Sequence, residues 1–310
     1  LAAALCLLVW LVPLPRPFVL GACFALIGAF LSSTPPFQNA MAMDANRCGI
    51  PVVYGFCRGV GSVSYAAAVL LLGFVLERHA PTLLLPVFAA LTACGLIAMA
   101  GFRLPERPDE AADRPAEHRS IATVLRSHPR FALTLLGCMF FFLTHTISNT
   151  YMNALVGKAG GTASAVGTSL AISAVLELPA MTLVSRLQKR FSPGFFLRFA
   201  AGAEVVKFLI FYLARSMPLI YLGHCMQFFQ FAVYAPATVY YVAAALPERD
   251  QLKGQSLIYV AGSGLGGALG NLLGGRLLDR SGIQAALLLG TVSAAASLLT
   301  FCLSTREDSR

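Results

Sequence analysis

Ten apolar runs divide the chain, at about 1–12, 18–43, 52–76, 82–102, 131–152, 163–184, 195–214, 217–245, 254–275 and 283–303. The first is partial; the others match the roughly 20 helical residues that cross the hydrocarbon of a bilayer. Such a chain has few options. In hydrocarbon every backbone N–H and C=O must be paired within the protein, so only helices and closed barrels span. A barrel strand alternates apolar and lumen-facing residues over about 10 positions, and no such segments occur. The charge content agrees. Only 12% of the 310 residues are charged and 57% are hydrophobic, against about 25% charged in a soluble domain. The reading is an all-α, polytopic membrane protein.

The loops give organisation and orientation. Most are short, but 104–130 carries Pro105, Pro108 and Pro115 with alternating charges. It reads as a linker between two bundles, with an interfacial helix near Ile121–Leu125. Alternate loops differ in charge. One set holds fourteen Lys and Arg, the linker included, and the opposite set holds six. The positive-inside rule places the richer set, the linker and the C-terminus in the cytoplasm. The same rule accounts for the net charge of +9 without nucleic acid, because the basic residues flank apolar runs. The eight cysteines are scattered singly, with no C-x-x-C pair, and read as small apolar helix residues.

The chain also repeats. Gly73-x-x-x-Glu77-Arg78 and Gly275-x-x-x-Asp279-Arg280 lie 202 residues apart, as do Arg47 and Arg249. The three spans before the linker match the last three in the same orientation. Parallel repeats of helix bundles mark one large transporter architecture. The offset aligns Leu1 with Ala203 and leaves the spans at 131–152 and 163–184 unmatched. The expectation is that about two helices of the first bundle precede Leu1.

Several motifs carry a resemblance. The run Tyr54-Gly55-Phe56-Cys57-Arg58-Gly59-Val60-Gly61-Ser62 resembles the Y-G-x-x-R-x-W-G-S opening of the fifth helix of lactose-permease-like and phenylpropionate-permease-like proton symporters, with Val60 in place of the tryptophan. Glu177-Leu178-Pro179 resembles the E-x-P of their eighth helix, His224 a histidine near the start of their tenth, and Gln255 the opening of their glycine-rich eleventh. The chain thus resembles the major facilitator superfamily over its whole length. That resemblance implies helices 3–6 in 1–103, a cytoplasmic linker at 104–130, helices 7–12 in 131–310, and a central cavity between two bundles.

Polar groups inside apolar runs are functional candidates by default. Glu177 lies nine residues before Arg186, or about 13 Å along a helix, near the midplane. It is a candidate proton carrier. Its plain alternative is a packing hydrogen bond. Glu204 and Lys207 stand one turn apart, either as a self-neutralising pair or as a gated one. His145 and Asn149, at i and i+4, form a polar patch, with Asn149 a candidate substrate ligand. Gln227, Gln230, Tyr234, Thr238 and Tyr241 share one helical face and read as cavity lining or interhelix hydrogen bonding, with a bend at Pro236. Tyr54, Arg58, Ser62 and Tyr65 make a similar stripe. Glu177, Glu204, Lys207, His224 and His145 are the coupling set, and Tyr54, Arg58, Asn149, Gln227, Gln230 and Tyr234 the substrate set.

Gly262, Gly266, Gly270 and Gly274 recur every fourth residue. Without side chains one helix face admits another backbone closely, which drives association in lipid. This face is expected to pack within a monomer and to slide as bundles rock. Gly262-x-Gly264-x-x-Gly267 mimics a dinucleotide fingerprint but lies inside an apolar helix, not at a strand-to-helix turn. No H-E-x-x-H, P-loop or G-x-S-x-G occurs, so an enzyme is disfavoured. The sequence therefore reads as a secondary transporter of a small solute (a sugar, nucleoside or aromatic acid), driven by a proton gradient with no cofactor or metal. It is placed in a bacterial-type inner membrane. The alternatives are an exporter of amphipathic compounds and a transporter-like receptor.

Overall fold

The computed structural model describes residues 1–11, 17–76, 81–101, 120–161 and 163–305. Among these no strand occurs. Residues 104–119 of the linker, Arg103, the Glu77–Arg78 pair, Arg16, Arg306 and Arg310 lie outside the described residues.

The helices before the linker are α1 (Ala2–Leu11), α2 (Pro17–Arg47), α3 (Tyr54–Leu76) and α4 (Leu84–Ala100). After it come α5 (Ile121–Ser127), α6 (Pro129–Thr150), α7 (Met152–Lys158), α8 (Ala163–Leu187) and α9 (Pro193–Leu213). The last five are α10 (Met217–Cys225), α11 (Phe231–Ala245), α12 (Glu248–Tyr259), α13 (Gly267–Ser281) and α14 (Ile283–Ser304). Five of the described stretches are long and apolar enough to cross a membrane: Pro129–Thr150, Ala165–Leu187, Met217–Ala245, Glu248–Ser281 and Ile283–Ser304. Local chemistry sets several ends. Ser120 caps α5 and Ser192 caps α9, each accepting from the amide three residues on, which satisfies one orphan N–H. Pro129 and Pro193 open α6 and α9, where a missing N–H costs nothing. Gly282, at φ 75°, ends α13 in a conformation that favours glycine.

The chain forms two compact units. One is Leu1–Val52 with Leu71–Ala116, and the other is Val53–Leu70 with Glu117–Arg310. Most of α3 therefore belongs with the second unit, although it precedes the linker. In the first unit α1 packs on α2 and α4 around Ala2, Cys6, Ile27 and Ala89. In the second, α6, α9, α11 and α14 enclose a core that includes Phe131, Phe141, Leu197, Tyr234 and Phe301.

The faces of α14 show what surrounds this unit. Leu288, Val292, Leu299 and Leu303 are exposed, whereas Ser293, Ser297 and Thr300 are buried. Ser293 and Ser297 donate to the backbone carbonyls of Phe140 and Gly137 on α6, at 3.0 and 2.9 Å. Large apolar side chains outside and small hydroxyls inside are the pattern of a helix solvated by lipid, where close packing and interhelix hydrogen bonds replace the hydrophobic effect.

Two spans depart from a plain α-helix. Met217–Ala245 is broken: α10 gives way to a 3₁₀ turn at Met226–Phe228, and Gln230 sits at φ −101°, ψ −94° before α11 starts. Pro236, where a bend is expected, lies inside α11 and not at this break. The freed amides are still paired, Phe229 and Gln230 donating to Met226 O at 2.9 and 3.0 Å, as hydrocarbon requires. The second departure is a π-helical stretch, Val260–Gly266, joining α12 to α13. It lies at the start of the glycine ladder, where the lack of side chains lets the backbone widen.

Candidate coupling and substrate site

The site begins where α3 meets α8, within the second unit. A Cβ on Gly59 would lie 2.6 Å from Leu178 Cα, and one on Gly55 would strike Met181 O and Ser185 Oγ. The missing side chains let the two backbones touch. Gly55 N donates to Ser185 Oγ at 3.0 Å, and Ser185 Oγ lies 3.1 Å from Tyr240 Oη. Along the same face Ser62 Oγ donates to Glu177 Oε2.

Glu177 is buried, and its second oxygen, Oε1, accepts from Gln227 Nε2 at 2.9 Å. Gln227 lies in the 3₁₀ turn between α10 and α11, so the helix break is what turns its amide toward α8. The same amide accepts from Lys207 Nζ at 3.2 Å through Oε1, and Gln230 Oε1 lies 3.5 Å from that ammonium. The ammonium also stands 5.8 Å from the Phe211 ring centroid, a cation–π distance. Four helical elements thus join in one chain of donors and acceptors: Ser62, Glu177, Gln227, Lys207 and Gln230.

Glu204 is different. It is 0% exposed, and among the described residues neither carboxyl oxygen has a hydrogen-bond partner. Lys207, one turn along α9, interacts electrostatically with both Glu204 and Glu177. A buried polar atom without a partner is costly, and such atoms recur here. His145 Nδ1, His224 Nε2 and Gln230 Nε2 are also buried and unpartnered. His224 Nδ1 lies 3.1 Å from Ser173 Oγ. The His145 ring stacks on Phe231, with centroids 4.5 Å apart.

Not every candidate joins this set. Asn149 is exposed and donates to its own helix at His145 O, 2.9 Å away, so it forms no joint patch with the His145 ring. Tyr54 packs edge-on against Tyr240 at 6.2 Å, at the end of α3 away from Ser62. Arg58 is half-buried beside Gly61. The stripe on 217–245 does not run along one continuous helix. Gln227 and Gln230 turn to Lys207, Tyr234 stacks on Phe141 at 3.9 Å, and Tyr241 Oη accepts from Thr134 at 3.0 Å. All are buried. Sequence reasoning left Ser173 and Phe231 out of the site. Serine and phenylalanine carry no signal in an apolar run; only the fold sets them beside the two histidines.

The glycine ladder faces α6. A Cβ on Gly262 would lie 2.7 Å from the Phe142 ring, on Gly270 2.7 Å from Leu143 O, and on Gly274 2.6 Å from the Tyr151 ring, while one on Gly266 would strike Met139 O. Among the described residues no group of three or more His, Cys, Asp or Glu side chains is gathered to hold a metal ion.

The model of the MFS_1 like family matches residues 1–289, which is most of the chain. The chain belongs to this family of major facilitator superfamily transporters. Two curated relatives agree with the assignment. A maltose permease of Geobacillus stearothermophilus is 28% identical over 286 residues, covering 91% of this chain and 71% of that protein. An uncharacterized transporter of Bacillus subtilis (strain 168), YwbF, is 23% identical over 297 residues, covering 96% and 72%. The fold matches crystal structures of FucP. One, in the outward conformation, has a TM-score of 0.63 at 16% identity and covers 98% of this chain and 80% of that one. Another, of the E. coli fucose:proton symporter, has a TM-score of 0.61 at 14% identity and covers 98% and 81%. At that identity the likeness concerns the fold. The chain is an integral membrane protein with the major facilitator fold, and its family and relatives are those of secondary transport.

Proposed function

We propose that this chain carries a small hydroxylated solute of the sugar class through the membrane by alternating access, in symport with protons. The observation that carries the reading is the hydrogen-bonded chain from Ser62 through Glu177 and Gln227 to Lys207. It sets a buried carboxyl at the seam between α3 and α8 and ties it to a broken helix. In transporters such breaks gather at the substrate and ion site. A carboxyl there can hold a proton in one state and release it in another, while its hydrogen bonds hold or free the α3–α8 seam. The relatives' names, a maltose permease and a fucose:proton symporter, support the sugar class and the coupling ion. The linker and C-terminus face the cytoplasm in this reading, by the charge asymmetry of the loops.

The test is uptake of radiolabelled maltose and fucose into proteoliposomes holding the purified chain, with and without an imposed inward proton gradient. Accumulation of either sugar above its outside concentration only with the gradient is the expected result. Accumulation that ignores the gradient would remove proton coupling. Binding without translocation would leave a receptor, and gradient-driven expulsion of amphipathic dyes an exporter.

A further inference from the structure

Glu177, Glu204 and Lys207 are all buried, the last two at 0% and 2% exposure. Two carboxylates and one ammonium leave one negative charge over. An uncompensated charge in the interior of a membrane protein costs several kcal/mol. Among the described residues the neighbouring elements offer no second cation to cancel it. The α3 segment presents Ser62, with Arg58 turned toward Gly61. α6 presents His145, α10 presents His224 and α11 presents Tyr234. Arg198, on α9 itself, is held by Thr305 through two bonds of 2.7 Å. Among the described residues His145 Nδ1 and His224 Nε2 are buried without a hydrogen-bond partner, so a second ring proton on either would be a buried, unpaired charge, and both imidazoles count as neutral.

We propose that Glu177, Glu204 and Lys207 form a one-proton site enclosed in the C-terminal bundle, with Gln227 as the positioning residue that links Glu177 to Lys207. The site is neutral when one proton is bound. The proton comes from water and forms an O–H bond on one carboxylate. With the proton on Glu177, Ser62 can turn from donor to acceptor toward the new O–H, Gln227 keeps its bond to Oε1, and Lys207 is left to balance Glu204. With the proton gone, one ammonium is shared by two carboxylates, and Gln227 holds it between them. Glu204 thereby has a function for its unpartnered oxygens: it sets the proton count at one. This deepens the proton-coupled reading above and rests on it.

The experiment is an infrared pH titration of the purified full chain in detergent, counting carboxyls of this site that change between acid and carboxylate; each spectrum is taken as the difference from the double variant Glu177→Gln with Glu204→Gln, so that Asp250, also buried, is not counted. Folding of every variant is checked by circular dichroism and size-exclusion chromatography. One titrating buried carboxyl is expected in the unmodified chain. None is expected in Glu204→Gln or in Glu177→Gln, because each leaves a neutral pair. Two are expected in Lys207→Met, and one again in the double variant Glu204→Gln with Lys207→Met. Gln227→Leu keeps the count at one but moves its midpoint by about one pH unit or more, a change of about 1.4 kcal/mol or more. An unchanged count of one in Glu204→Gln would overturn the proposal, since Glu177 would then titrate alone. So would a count of none or two in the unmodified chain, or a double variant that does not return to one. If Glu204→Gln fails to fold, Glu177→Gln and Lys207→Met decide by the same counts. Expected counts without gradient-driven uptake would sink the transport reading and leave the site standing. Gradient-driven uptake with the wrong counts would do the reverse.

Discussion

Ser62 and Glu177 show how a single hydroxyl acquires weight. The bond forms because Gly55 and Gly59 let α3 lie against α8, so a serine two turns past Tyr54 reaches the Glu177 oxygen that Gln227 leaves open. Removing the donor leaves Glu177 Oε2 buried with nothing in its place. Leaving a buried polar group unsatisfied costs about 1–3 kcal/mol. Ser62→Ala is therefore expected to lower the thermal unfolding midpoint in detergent, whereas Ser64→Ala, at an exposed hydroxyl bonded to its own helix at Val60 O, leaves it within error. Equal effects of the two changes would mean that the Ser62 contact contributes little. The motif around Tyr54 marked Ser62 as one polar residue of a stripe. Which carboxylate it meets depends on a residue 115 positions away and could not be read along the chain.

At the scale of elements, the glycine ladder is a seam between the π-helical stretch, α13 and α6. Its spacing was plain in the sequence, but its partner was not, because a face without side chains says only that something comes close. The close approach has a direct consequence. A Cβ at Gly270 would sit 2.7 Å from Leu143 O, a backbone atom that cannot turn aside. Overpacking of this kind costs about 1–3 kcal/mol. At Gly202, in α9, a Cβ meets nothing within 4 Å, and alanine there gains about 0.5–1 kcal/mol in helix propensity. Gly270→Ala should thus lower, and Gly202→Ala hold or raise, the unfolding midpoint of the same preparation. Two changes in the same direction would count against the seam. A similar test reaches α14. Ser297→Ala, which removes a bond to Gly137 O, should cost about 0.6 kcal/mol, the usual worth of an interhelix hydrogen bond in lipid. The break between α10 and α11 was not legible, because His224 and the two glutamines of Met217–Ala245 carry no signal that stops a helix.

For the whole molecule, Glu177→Gln keeps the shape of the side chain and one of its two acceptor oxygens, which can face Ser62 or Gln227, but can no longer take up or release a proton. If the proposed coupling holds, it should abolish uphill, gradient-driven uptake while leaving solute exchange between equal pools near its normal rate. Counterflow and pH-driven uptake measured on one proteoliposome preparation separate the two. Gradient-driven uptake surviving in this variant would place the coupling proton elsewhere. The second unit is the part that carries these residues. It is drawn from both sides of the linker, because Val53–Leu70 packs with Glu117–Arg310, and chain order alone assigns α3 to the first bundle.

The sequence by itself determined the class of molecule and the family. Apolar runs of bilayer length force helices, because hydrocarbon offers the backbone no other partner, and the motifs around Tyr54 and Glu177 carried the resemblance that the family match then established. It also singled out nearly every ionisable group of the candidate site, since charge inside an apolar run stands out without any knowledge of contacts. Only the tertiary structure decided how those groups combine. It linked Glu177 to Ser62 and Gln227, held Lys207 against two amides rather than in a simple pair with Glu204, and turned Asn149 back onto its own helix. The physical reason is one of range. Solvation by lipid acts on each segment separately and is written along the chain, whereas a hydrogen bond depends on ångström distances between helices that the chain brings together only when it packs.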